Sequence, residues 1–350
     1  MTPFTRSPEE TADSLSRAAK SLLKLNARPP VGLTPKDPIW AKNKARLYRY
    51  RPTGGTVRPT PILLVYALIN KPYIMDLTPG NSLVESLVED GYDVFLLDWG
   101  VPGEEDAGLG YDSYLFDYLP RAVRAMLKAA NAERFTLFGY CMGGTIAAMY
   151  AATQPSPQLA NLVLLTTPID FAQAGLYSAW LEPEHFDATR VSGTLRLIPP
   201  EMIDLGAKLL KPLQNYVGPY VRLLEKIEDE DFVKGWKTMN FWVNDGVPFP
   251  GEAYRQWVTW FYQENRLVRG ELSLRGVPVR LENIRCSVLN VYAQMDHIVP
   301  PEMSTPFLAL VGSQDKADMP VKAGHVGVVA GRTAHQHFIP KLKKWLESRT

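Results

Sequence analysis

Cysteine is scarce in this chain of 350 residues: Cys141 and Cys286 are the only two. That excludes a disulfide framework and points to reduced thiols in a cytoplasmic setting. Net charge is nearly absent, with 38 Lys and Arg against 37 Asp and Glu. No charge excess therefore argues for nucleic acid or an anionic membrane as partner. Long apolar runs are missing too. The stretch 61–68 is among the longest, far below the roughly 20 residues that a membrane-spanning helix needs. The N-terminal Met1-Thr2-Pro3-Phe4-Thr5-Arg6 lacks the apolar core of a secretory signal. There is no internal repeat and no low-complexity segment. Histidine is limited to His185, His297, His325, His335 and His337, which narrows any search for a catalytic base.

What is present reads as a globular chain, 46% hydrophobic and 21% charged. Its length suits one large α/β domain with an inserted subdomain. Residues 1–36 read as an N-terminal helical segment. Ser7-Pro8-Glu9-Glu10 resembles a capping box with proline in the first turn. Leu15, Ala18, Leu22 and Leu25 then recur at helical spacing. This stripe packs either on the body of the chain or on a partner subunit.

From residue 62 onward short apolar runs alternate with helical patterns. Strands are expected at 62–66, 93–97, 135–138 and 162–165, with helices at 81–90, 118–130 and 145–152. This rhythm specifies an α/β fold with a mostly parallel, doubly wound sheet. It stops near Pro168. Residues 171–270 are rich in aromatics and hold Trp180, Trp236, Trp242, Trp257 and Trp260. Strands resume at 287–292 and 319–322, and a last helix spans 334–347. The expected organisation is a core of 37–170 and 271–350 interrupted by a helical lid at 171–270. A second, independently folded domain is the alternative.

Gly139-Tyr140-Cys141-Met142-Gly143-Gly144 lies between an expected strand and an expected helix. That context makes it a nucleophile elbow, the hallmark of the α/β-hydrolase fold. The turn is sharp, so its flanking residues must be small. The helix N-terminus behind Cys141 favours a thiolate. The Met142 backbone N–H is one expected oxyanion donor, and Ile69 or Asn70 in the loop after the first buried strand supplies the other. The bland alternative is a buried cysteine beside a glycine-rich turn.

An elbow nucleophile is served by an acid and then a histidine, in that chain order. Asp296 and His325 follow in that order, each just past an expected strand, where open α/β sheets place their sites. A loop-capping role is the alternative for Asp296. His335 and His337 open the last helix and are expected in solvent. A cysteine nucleophile exchanges one thioester for another at little free-energy cost, so the residues favour acyl transfer over hydrolysis. An aromatic lid would exclude water from the acyl-enzyme. Nothing in this chemistry calls for a metal or cofactor.

Several stretches resemble poly(3-hydroxyalkanoate) synthases from about Asp37 to the C-terminus. They are the elbow through Thr145, residues 67–77, residues 94–100, Gly324-His325-Val326-Gly327 and the run Asn240-Phe241-Trp242-Val243-Asn244-Asp245-Gly246-Val247-Pro248-Phe249-Pro250-Gly251. The resemblance implies that Cys141 carries the growing chain, that His325 activates it and that Asp296 assists. It implies (R)-3-hydroxyacyl-CoA, chiefly 3-hydroxybutyryl-CoA, as substrate and a polyester as product, made in the cytoplasm at the surface of granules. The chain lacks the large N-terminal domain of the single-subunit synthases. It therefore resembles the catalytic subunit of the two-component types, class III or IV, which implies a second, non-catalytic subunit as partner. Self-association into a homo-oligomer stays open. The rival readings are a compact cysteine-dependent hydrolase and a non-catalytic granule-associated protein.

Overall fold

The computed structural model describes residues 28–349. The apolar stripe of Leu15, Ala18, Leu22 and Leu25 lies outside the described residues.

The buried apolar runs pair into an eight-stranded sheet. Its strands are β1 (Lys36–Lys42), β2 (Ala45–Tyr50), β3 (Ile62–Val65), β4 (Val94–Asp98), β5 (Phe135–Tyr140), β6 (Leu159–Leu165), β7 (Ser287–Ala293) and β8 (Lys316–Val321). Their spatial order is β1-β2-β4-β3-β5-β6-β7-β8. The pairs made by β1 with β2 and by β2 with β4 are antiparallel. From β4 to β8 every neighbour is parallel. Strands β3, β5 and β6 are buried at every residue, as a sheet covered on both faces requires.

The β1–β2 hairpin has no counterpart among the strands expected from sequence. Its residues mix lysine, arginine and aromatics, so no continuous apolar run marks it. Asn43 makes the turn at φ 51°, a conformation asparagine tolerates well. As the sheet's edge, β1 carries lysines, a proline and a register shift between Pro38 and Trp40. These features discourage pairing with another chain.

Helices α1 (Leu83–Glu89), α2 (Leu119–Ala130) and α3 (Met142–Thr153) connect the strands. Ser82 caps α1 by accepting from the Glu85 N–H. The α2 helix buries Leu119, Ala122, Val123, Met126 and Leu127 and ends on Asn131 at φ 50°, a left-handed C-cap. The α3 helix is buried from Met142 through Ala152, so it is the central helix under the sheet.

Between β6 and β7 the chain leaves the sheet. Helices α4 (Pro200–Leu209), α5 (Gly218–Glu225) and α6 (Glu230–Val243) lie in this insertion. Asp229 caps α6 through the Phe232 N–H. Residues 249–284 return to the core and bury Phe249, Trp257, Val258, Phe261 and Leu267. The last helix, α7 (Ile339–Glu347), follows a π-helical turn at Ala334–Phe338.

Arg49 ties three elements together. Its guanidinium makes a bidentate pair with the buried Asp93, both bonds at 2.9 Å, and donates to the Ala129 carbonyl at the end of α2. Removing the cation strands a buried carboxylate. Arg49→Ala is expected to lower the unfolding free energy by about 3 kcal/mol, and Asp93→Ala added to it restores part of the loss. Urea unfolding of the two variants measures this.

Candidate active site

The strand β5 runs into Cys141, which holds φ 55° and ψ −129° before α3 begins at Met142. A non-glycine residue there carries strain of order 1–3 kcal/mol. Backbone hydrogen bonds hold the turn: the Cys141 N–H donates to the Leu165 carbonyl at 2.9 Å, and the Gly144 N–H donates to the Cys141 carbonyl at 2.8 Å. The neighbouring glycines permit contact of backbone on backbone. A Cβ on Gly139 would strike the Cα of Gly144, and one on Gly143 would strike the carbonyls of Val65 and Tyr66. The small-residue requirement read from the sequence therefore has named partners.

Parallel register assembles the rest. Tyr140 lies opposite Leu165, Leu165 opposite Val291, and Val291 opposite Met319. The segments following β5, β7 and β8 thus share one edge of the sheet and carry Cys141, Asp296 and His325. His325 Nδ1 hydrogen-bonds Asp296 Oδ2 at 2.6 Å, and Cys141 lies close enough to the ring to act on its charge. Both partners of that short bond are buried, with residue exposures of 6% for Asp296 and 8% for His325. Asp296 Oδ1 accepts the N–H groups of Ile298 and Val299, each at 2.9 Å. Loop capping and service to the histidine were alternatives from sequence; the two carboxylate oxygens do both at once.

Burial opposes the positive charge on His325. Asp296, by its charge and its hydrogen bond, together with the nearby Cys141, outweighs it and raises the His325 pKa well above the ordinary histidine value. A charged imidazole in a dry site needs such partners on both sides.

Tyrosines brace the site, and apart from Tyr140, which lies in the elbow, no motif announced them. The Tyr140 hydroxyl donates to the His325 carbonyl at 3.1 Å, and its ring stacks on the imidazole at 5.4 Å. Tyr66, Tyr111, Tyr177 and Tyr262 also feel the charge of Cys141, and burial is the first reason their pKa values rise. Trp257 stacks on Tyr111 at 5.8 Å and meets Phe171 edge-on at 5.1 Å. Aromatics of the insertion therefore form walls beside the nucleophile. The only sequence signal for them was the aromatic richness of residues 171–270.

Ile69 and Asn70 lie half-buried in the loop after β3. Asn70 sits at φ 56°. The other histidines are elsewhere in role. His297 is half-buried, approaches the Asn215 amide at 3.2 Å, and has its pKa lowered by burial despite the Asp296 charge. His185 is exposed and lies 3.6 Å from Glu182, and His337 is exposed. His335 departs from the expectation of solvent. It is half-buried, its Nε2 has no partner among the described residues, and burial lowers its pKa. It sits in the π-helical turn at Ala334–Phe338. Among the described residues no His, Cys, Asp and Glu cluster is arranged to hold a metal, and no helix is long and apolar enough to cross a membrane.

Residues 60–328 match the alpha/beta hydrolase fold family. Residues 11–87 match the N-terminal family of poly-beta-hydroxybutyrate polymerase (PhaC). The chain is 36% identical to the poly(3-hydroxyalkanoate) polymerase subunit PhaC of Haloferax mediterranei, over 100% of this chain and 73% of that one. It is also 36% identical to the protein of the same name from Allochromatium vinosum, over 91% of this chain and 90% of the other. Among solved structures, a hydrolase from Pseudomonas aeruginosa PA01 aligns with a TM-score of 0.54 at 16% identity, covering 90% of this chain and 99% of that one. That likeness shows the fold.

The raised His325 pKa has a consequence for stability. The folded chain holds this proton more tightly than the unfolded chain. The contribution is fully present below about pH 6.5 and is lost as pH rises through the folded-state value. Unfolding free energies of the parent and His325→Gln, compared from about pH 6 to about pH 9, are expected to converge as pH rises. A gap that widens toward high pH would contradict the charged imidazole.

Proposed function

This chain belongs to the poly(3-hydroxyalkanoate) polymerases and polymerises hydroxyacyl-CoA into polyhydroxyalkanoate with release of CoA, and we propose that it does so through a thioester on Cys141. The observation that carries the proposal is the buried His325–Asp296 pair, 2.6 Å apart, beside the half-buried Cys141 at the elbow.

In the first step the Cys141 sulfur attacks the substrate thioester carbonyl. The C–S bond to CoA breaks, and His325 hands its proton to the departing thiolate. The backbone N–H of Met142, with that of Ile69 or Asn70, stabilises the oxyanion. In the second step the 3-hydroxyl of another hydroxyacyl-CoA attacks the Cys141 thioester. His325 takes the hydroxyl proton, an ester C–O bond forms, and Cys141 leaves. The lengthened chain, now on CoA, returns to Cys141 by the first step. Asp296 holds the imidazole in orientation and balances its charge throughout. The aromatic walls of Tyr111, Phe171, Trp257 and Tyr262 support exclusion of water. A short acyl chain, chiefly (R)-3-hydroxybutyryl, is supported by the match to the poly-beta-hydroxybutyrate polymerase family. Residues 171–270 serve as the lid over the core of 37–170 and 271–350.

The partner reading is a second, non-catalytic subunit, as in the class III or IV enzymes. The relatives' names, which call them polymerase subunits, support it. The granule-surface reading is supported by the outward face of α4, α5 and the turn between them. Leu205, Leu209, Leu213, Val217, Tyr220 and Leu224 are all exposed there, Leu213 by 80%. An apolar face of this kind suits contact with an insoluble polyester.

Purified chain, with and without a candidate second subunit, is given (R)-3-hydroxybutyryl-CoA, and free CoA and insoluble polyester are followed. Polymer is expected, rising with the partner. Cys141→Ala is expected to reduce both signals by at least about a thousandfold. Free acid without polymer would instead indicate a hydrolase, and turnover unaffected by Cys141→Ala would falsify the covalent route.

A further inference from the structure

The loop after β3 carries the candidate oxyanion donors Ile69 and Asn70, and its two ends are held by different parts of the molecule. The near end belongs to the core. The Trp99 indole N–H donates to the Tyr66 carbonyl at 2.9 Å, and the backbone of Tyr66 abuts Gly143 of the elbow. The far end belongs to the insertion. The Trp242 indole N–H donates to the Lys71 carbonyl at 2.9 Å. One Asp245 oxygen pairs with Lys71 Nζ at 2.8 Å, and the other accepts the Tyr73 hydroxyl at 2.9 Å. The Tyr73 ring lies 6.4 Å from that of Phe241. Val247 closes the set, sharing a narrow cavity with Leu68, Asn70 and Pro72.

These contacts cluster at the C-terminal end of α6 and just past it. None of the hydrogen bonds, nor the ion pair among them, involves a strand of the eight-stranded sheet. Asn70, between the two anchors, holds a left-handed conformation, so the loop has a defined path that its ends must maintain. An oxyanion donor works only if it is aimed at the developing charge in advance. Displacing such a group by about 1 Å costs on the order of a hundredfold in rate.

We propose that Asp245, together with Trp242, is a positioning residue for the oxyanion hole: by gripping Lys71 and Tyr73 it sets the loop that presents the Ile69 or Asn70 N–H to the acyl oxygen. The insertion is thereby coupled to the chemistry as well as to coverage of the site. The oxyanion hole is complete only while the end of α6 is packed on residues 71–73. This inference rests on the reading of Cys141 as the acylated nucleophile.

The test separates acylation from simple reactivity of the thiol. Alkylation of Cys141 by iodoacetamide forms no oxyanion, whereas attack on a thioester does. In the full chain, Asp245→Ala is expected to lower kcat for CoA release from (R)-3-hydroxybutyryl-CoA by about tenfold to about a hundredfold. KM is expected to stay within about threefold, because the donor acts in the transition state. The rate of Cys141 alkylation is expected to stay within about twofold of the parent. Asp245→Asn keeps an acceptor for Tyr73 and is expected to recover kcat to within about fivefold. It also supplies a milder variant should the alanine chain misfold. An unchanged kcat in Asp245→Ala would overturn the proposal. So would an equal fall in kcat and alkylation, since that pattern marks a general loss of structure. CoA release that persists in Cys141→Ala would remove the underlying reading and this inference with it, whereas Cys141-dependent release undiminished in Asp245→Ala would remove this inference alone.

Discussion

Cys141 is held at φ 55° by a strand on one side and a helix on the other, and the site around it follows from that turn. The strain is affordable because the flanking glycines let α3 approach β3 and β5 backbone to backbone. The close approach places the sulfur above the sheet edge and starts α3 directly behind it. It also sets Gly143 against the backbone of Tyr66, at the start of the loop that holds Ile69 and Asn70. A larger residue at 139 or 143 would disturb the nucleophile, the helix and that loop together.

The second constraint is electrostatic. The His325 imidazole, its pKa raised well above the ordinary histidine value, sits beside Cys141 among aromatic side chains that offer little solvation. Asp296 makes this tolerable with its Oδ2, while its Oδ1 is already committed to the Ile298 and Val299 backbone. The carboxylate is therefore fixed before the histidine uses it. Tyr140 adds a third support by holding the His325 carbonyl, so the residue preceding Cys141 also braces His325. The trio behaves as one preorganised unit rather than three separate groups.

The insertion has two characters. Residues 249–284 are packed into the core and line the site with arenes. The helices α4 and α5 turn apolar side chains outward instead. Between these, α6 ends in the cluster that reaches Lys71 and Tyr73. Aromatic richness alone marked this stretch as unusual, but it could not separate wall from outer surface. That division depends on which face of each helix meets the sheet.

Much of the fold was legible because buried parallel strands are continuous apolar runs, and 62–66, 93–97, 135–138 and 162–165 read that way. The edge hairpin of Lys36–Tyr50 was not legible, because an exposed edge has no such run. By itself the sequence determined the chemical types and their order: a thiol in a glycine-flanked turn, then a carboxylate, then a histidine. Those are local properties of composition and spacing. Tertiary structure decided that residues 141, 296 and 325 meet, because parallel register aligns the ends of β5, β7 and β8 across the insertion. It also decided that one aspartate serves two roles, that His335 is drawn in from solvent, and that Asp245 grips Lys71 and Tyr73. Each of these depends on contacts between segments far apart in the chain, which no local pattern encodes.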